Sequence, residues 1–169
     1  MVRSPRLQSV PEIQMAKFEA RRGLYFEEYE AGQQMSTVGR TITEADVVNF
    51  AGVSGDYNLI HTDLAFSEAS LFEQRVAHGL LVLSVASGLA MRSGLMEGTV
   101  IAWRDIQDWR FSQPVFIGDT VHAEMEVVDT KPMPRLGGGQ VNMRVKILNQ
   151  EDKITMKGNW GILVMNAPS

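Results

Sequence analysis

Three segments in the second half of the chain alternate apolar and polar residues with a period of two. Over residues 120–128 the odd positions Val121, Ala123, Met125 and Val127 are apolar, against Thr120, His122, Glu124 and Glu126. Over 141–148, Val141, Met143, Val145 and Ile147 alternate with Asn142, Arg144 and Lys146. Over 154–164, Ile154, Met156, Trp160, Ile162 and Val164 share one parity. Successive side chains of a strand point to opposite faces, so this rhythm predicts three strands, each with one buried face. The connections at 131–139, rich in Pro and Gly, and at 149–152 are short enough to make neighbouring strands antiparallel hairpins. Residues 99–111, with Trp103, Trp109 and Phe111, read as a less regular strand before the turn at Gln113 and Pro114.

The first half has a helical period. A first strand is expected near 34–40, and Thr43 then stands where a helix cap belongs. Its side chain can take the backbone N–H of Asp46, and Glu44 and Asp46 suit the positive end of the helix dipole. Val47, Phe50 and Ala51 give that helix one apolar face, and Gly52 and Gly55 end it. A polar loop over 56–63 and a helical turn over 64–69 follow. Residues 79–91 differ in kind, because they offer no polar face wide enough for solvent. A helix that is apolar all round must be enclosed. Its small residues, Ser84, Ala86, Ser87, Gly88 and Ala90, allow close backbone packing.

One enclosed helix followed by an antiparallel meander predicts an α+β fold in which the sheet curls round that helix. A curled sheet leaves edges, and pairing two of them hides one, so at least a homodimer is expected, or a larger assembly built from dimers. Residues 1–22, weakly patterned and containing Pro5 and Pro11, form an N-terminal extension, and 23–169 a single domain.

Composition narrows the function. Sixteen Lys and Arg against twenty Asp and Glu leave a net charge of −4, with no basic excess for a nucleic-acid backbone. The chain has no cysteine, which removes disulfides, Cys-ligated zinc, iron–sulfur clusters and thiol nucleophiles together. No stretch has the ~17–25 apolar residues of a membrane span, and no apolar run follows the N-terminal arginines. A soluble, cytoplasmic protein is expected, with no nucleic-acid or membrane partner.

The chemistry concentrates in residues 50–63, where an acid (Asp56), an amide (Asn58) and an imidazole (His61) fall within six residues after a helix-ending glycine. An Asp and a His converging on one water can share its protons, the imidazole removing one and the carboxyl group supplying another. The same residues also fit a plainer reading, with Asp56 and Asn58 capping turns and His61 a satisfied, partly buried histidine. His61 and Asp63 find no third ligand for a metal. The second feature is Val76-Ala77-His78-Gly79 at the mouth of the apolar helix. The first N–H groups of a helix lack internal partners, and a glycine lets a substrate approach them. Such an N–H can hold an ester or thioester oxygen as it gains charge. His78 itself reads as a cap for the helix. His122 shares its parity with Glu124 and Glu126 and reads as solvent-facing; Ser54 and Ser84 lack a nucleophile-elbow context.

Ser54-Gly55-Asp56-Tyr57-Asn58-Leu59-Ile60-His61, followed by Ala77-His78-Gly79, closely resembles the MaoC-like dehydratases, including the (R)-specific enoyl-CoA hydratases. The resemblance runs from about Tyr25 to Val164. The family motif is Gly-Asp-x-Asn-Pro-Ile/Leu-His; its proline position is Leu59 here, a departure that leaves every reacting group in place. The resemblance implies a hot-dog fold and reversible hydration of trans-2-enoyl-CoA to (R)-3-hydroxyacyl-CoA. It implies Asp56 and His61 as the catalytic acid/base pair on one water, Asn58 as a supporting group, and the Gly79 N–H as donor to the thioester oxygen. No cofactor or metal is implied, since coenzyme A is part of the acyl-CoA substrate. Two other functions stay open: an acyl-CoA thioesterase of the same fold, and a non-catalytic acyl-CoA-binding partner subunit.

Overall fold

The computed structural model describes residues 23–168, so the expected extension over 1–22 lies outside the described residues. The elements run in order β1 (Gln34–Ser36), β2 (Arg40–Thr41), α1 (Glu44–Ser54), α2 (Leu59–Thr62), α3 (Leu64–Glu68), α4 (Gly79–Arg92), β3 (Val100–Phe111), β4 (Thr120–Met133), β5 (Gly138–Leu148) and β6 (Ile154–Met165). The sheet order is β1-β4-β5-β6-β3, with β2 also on β4, and every pairing is antiparallel. The period-two pattern sets this register: Val127 lies opposite Met143, and Met143 opposite Trp160, so one apolar set faces inward across the three long strands. Val121, Ala123, Met125, Val127, Val141, Met143, Val145, Ile147, Trp160, Ile162 and Val164 are all buried.

Helix α4 lies in the same core, through Leu81, Val82, Val85, Ala86, Leu89 and Ala90. The expected enclosure holds on that face only. Leu80, 60 % exposed, begins a stripe that continues through Ser84, Gly88 and Met91 at helical spacing and faces away from the sheet. Ser84 Oγ and Ser87 Oγ turn inward and donate to the helix carbonyls of Leu80 and Ser84, so neither hydroxyl makes that face polar. The expected strand over 34–40 is split in two. Between the halves the Thr37 hydroxyl accepts the Ala123 N–H, a side chain taking the place of a ladder carbonyl. The connection expected over 131–139 is shorter than its composition suggests, because β4 continues to Met133 and β5 begins at Gly138.

Helix α1 begins as its cap predicts. Thr43 Oγ1 accepts the Asp46 N–H at 3.2 Å, and the Asp46 carboxylate accepts the Thr43 N–H at 2.9 Å, a reciprocal capping box. The helix ends at Gly55 with φ of 74°, a left-handed conformation that glycine adopts without strain. This turn delivers the chain to the polar loop. Among the described residues no helix is long and apolar enough to cross a membrane.

Candidate active site

The loop after α1 is held by its own polar side chains. Ser54 Oγ donates to the Phe50 carbonyl and accepts the Asp56 N–H at 3.1 Å, while Asp56 Oδ1 accepts the Asn58 N–H at 3.2 Å. Asn58 caps α2, its Oδ1 accepting the Ile60 N–H at 3.2 Å. The residue after it, Leu59, stands at the first helical position, where a proline would fit because that N–H has no intrahelical partner anyway. The departure from the family motif therefore costs no hydrogen bond. Helix α2, which carries His61, lies inside the stretch that composition marks as a loop; at four residues it is too short to show a period. Ser67 of α3 is fully buried, with its hydroxyl 2.7 Å from the Asp63 carbonyl and 3.1 Å from that of Ile60, and it ties α3 to α2.

His61 is buried, and its Nδ1 lies 2.7 Å from the Val76 carbonyl. A carbonyl only accepts, so Nδ1 carries the proton and Nε2 is left with its lone pair. The segment that supplies this carbonyl is fixed in turn: the Val76 N–H donates to the Ile60 carbonyl at 3.1 Å and the Ala77 N–H to that of Val115 at 2.8 Å. Burial pulls the His61 pKa below its ordinary value of 6.5; the Val76 hydrogen bond opposes this, His78 adds to it, and Asp56 opposes it.

Asp56, His61 and His78 come together, each offering a side-chain donor atom within 4.8 Å of the others. His78 occupies the cap position of α4 but makes no side-chain capping bond, contrary to the expectation from sequence. It is buried instead against His61, ring centres 3.8 Å apart and planes 30° apart, and its Nε2 lies 2.9 Å from the Asp56 carbonyl. The three potential metal ligands that converge are thus Asp56, His61 and His78, and not the pair His61 and Asp63 suggested by spacing. The rings nevertheless stack more closely than two imidazoles on a tetrahedral ion, whose centres would stand roughly 5 Å apart at normal zinc–nitrogen lengths.

His61 and Gly79 both line a cavity of about 440 Å³, together with Ile60, Phe72, Leu80, Phe111 and Met156 among others. Among the described residues its wall contains no Lys, Arg, Asp or Glu. Asp56 is exposed and stands outside this lining. Gly79 opens α4, and a Cβ there would meet the Phe111 ring at 2.6 Å, so the aromatic ring occupies the space that only a glycine leaves. The sequence places Asp56, Asn58, His61 and Gly79 in one site. What it does not reveal is His78, whose partners are a backbone carbonyl and a ring on other elements, or Phe111 at the end of β3. His122, predicted to face solvent, is half-buried on the outward face of β4.

A small antiparallel sheet curled on one long helix, with a polar loop and a helix start meeting at a cavity, defines a hot-dog fold. The chain belongs to the MaoC-like dehydratase family: the model of the MaoC like domain matches residues 27–148. It is 42 % identical over 101 residues to Protein MaoC of Klebsiella aerogenes, an alignment covering 60 % of this chain but only 30 % of that longer protein. It is 34 % identical over 110 residues to the (R)-specific enoyl-CoA hydratase of Aeromonas caviae, covering 63 % of this chain and 79 % of the relative. Among solved structures, the R-hydratase PhaJ1 of Pseudomonas aeruginosa superposes with a TM-score of 0.73 at 30 % identity, over 86 % of this chain and 88 % of that one. A Mycobacterium tuberculosis protein described as a double hot-dog fold shares the architecture, with a TM-score of 0.77 at 23 % identity over 87 % of this chain and 46 % of its own.

Proposed function

We propose that this chain catalyses the reversible hydration of a trans-2-enoyl-CoA to the (R)-3-hydroxyacyl-CoA. The observation that carries the reading is His61: a buried imidazole with its Nδ1–H tied to the Val76 carbonyl, and so a free basic Nε2, on the wall of an apolar cavity beside the start of α4. In the forward step His61 Nε2 takes a proton from one water, and the hydroxyl oxygen bonds to C3 as the C2–C3 π pair moves toward the thioester. The enolate oxygen that forms is met by the Gly79 N–H, a type of contact worth ~3–4 kcal/mol in known oxyanion holes. The proton taken up by His61 passes to the Asp56 carboxylate, and the carboxyl group so formed supplies it to C2, so both groups end as they began. Asn58 keeps the loop that carries both groups in place. The reaction draws on no cofactor beyond the coenzyme A of the substrate.

The cavity wall adds the substrate class. With no Lys, Arg, Asp or Glu among the described lining residues, it suits an uncharged acyl chain and disfavours one ending in a second carboxylate. Arg104 of β3 is hydrogen-bonded to Gln140 and lies 3.6 Å from Asp105, outside the cavity lining.

Purified protein is expected to bleach the conjugated ultraviolet absorbance of crotonyl-CoA, and His61→Ala and Asp56→Asn are each expected to lower that rate by about 10²–10⁴-fold. Retained activity in both variants overturns the assignment of roles. Release of free CoA thiol without hydration indicates a thioesterase, and no turnover of thioesters of several lengths indicates a binding subunit.

A further inference from the structure

We propose that His78 is a positioning residue, fixing the backbone of Asp56 and the ring of His61 in one frame so that carboxylate and imidazole face the same water. The inference rests on the hydratase reading for its catalytic meaning, and on geometry alone for the frame. Asp56 is exposed, and the one hydrogen bond its carboxylate makes among the described residues is to the Asn58 N–H within its own loop. Left to that loop, the carboxylate would sample many positions relative to His61. The restraint comes from 22 residues further on, where His78 Nε2 meets the Asp56 carbonyl at 2.9 Å.

Because a carbonyl offers no proton, His78 must carry its own on Nε2. Its Nδ1 is buried with no hydrogen-bond partner among the described residues, so a second proton there would bury an unpaired charged donor. His78 therefore carries its proton on Nε2, while His61 is protonated on Nδ1 toward Val76. The two stacked imidazoles hold opposite tautomers, each pinned to a backbone carbonyl. Phe50 of α1 packs on His78 as well, with ring centres 5.1 Å apart. One side chain thus joins the end of α1, the Asp56 loop, α2 and the start of α4. Displacing a reacting group by ~1 Å can cost about a hundredfold in rate, so this frame bears directly on turnover.

Two variants separate positioning from bulk packing. His78→Gln places an amide nitrogen as many bonds from Cβ as Nε2 and keeps the donor; His78→Leu keeps comparable bulk and loses it. With crotonyl-CoA, His78→Leu is expected to lose about a hundredfold in kcat with KM little changed, and His78→Gln to recover most of that loss. A His78→Leu enzyme with wild-type kcat overturns the proposal, and so does His78→Gln falling as far as His78→Leu. A second readout needs neither variant nor activity. Imidazole proton–nitrogen correlation spectra of the wild-type protein at neutral pH are expected to show His78 protonated on Nε2 and His61 on Nδ1. The reverse tautomer at His78 overturns the frame. A wild-type protein that hydrates no enoyl-CoA but shows these tautomers defeats the hydratase reading and leaves the frame standing.

Discussion

A histidine that is to take a proton from water at neutral pH must be neutral beforehand, and the surroundings of His61 secure this mainly by burial. Its pKa is pulled below 6.5, burial contributing most. The sign then follows. Protonated His61 has no lone pair to offer, so competence is lost only as pH falls through the depressed value. The kcat/KM profile for enoyl-CoA hydration is expected to fall on an acid limb centred below 6.5, measured at constant ionic strength. An acid limb centred above 6.5 contradicts this placement of His61. Stability follows the same direction: between the two values the unfolded chain binds the proton more readily, so the fold weakens as pH drops. At this scale the sequence was most informative where partners are close in number. Asp56, Asn58 and His61 are legible as a group because one loop carries them. The His78 contact is not, because it joins a ring to a carbonyl 22 residues away, and nothing about a backbone carbonyl shows in a residue letter.

At the level of elements, the strands were legible because burial on one face imposes a period of two, and β4, β5 and β6 keep it over most of their length. The capping box of α1 was legible for a similar reason, since both partners lie within one turn. Helix α2 was hidden because four residues cannot display a period of 3.6. The outward stripe of α4 was hidden because Leu80 and Met91 are apolar wherever they point. The junction of α4 with β3 carries a prediction of its own. Phe111 rests where a side chain of residue 79 would begin, so Gly79→Ala must push the ring aside. Phe111 is 55 % exposed in the single chain, which keeps the folding cost within about 1–3 kcal/mol. The displaced ring, however, closes on the cavity wall and on the N–H assigned to the thioester oxygen. A fall of about 10²–10³ in kcat/KM is expected, with the thermal midpoint shifted by only a few degrees. Full activity in Gly79→Ala would remove the close approach at the helix start from the mechanism.

For the whole molecule, the single chain leaves one side unfinished. Strand β3 ends the sheet, and its ladder to β6 has three register shifts, yet it presents Ile101, Trp103, Ile106 and Phe111 to solvent. The outward stripe of α4, beginning with Leu80, is likewise uncovered. An edge strand with four exposed apolar side chains, interspersed with the exposed charges of Arg104, Asp108 and Arg110, is a surface that a second copy can match with the same apolar and opposite-sign groups in return. A polar rim alone would not need a partner; an apolar edge beside an apolar helix stripe does. The chain is therefore expected to sediment at twice its mass of 18.8 kDa at micromolar concentration. Ile106, 45 % exposed near the middle of β3, tests the surface without touching the catalytic loop. Burying an unpaired ammonium there costs several kcal/mol in a packed interface and close to nothing on a free monomer surface. Ile106→Lys is thus expected to shift the population to monomer while the single-chain fold persists by circular dichroism. Sedimentation of the wild-type protein as a monomer, or an undisturbed dimer in Ile106→Lys, would show that β3 is not where two copies meet. Because Phe111 belongs both to this edge and to the cavity lining, loss of the dimer is expected to lower hydration as well.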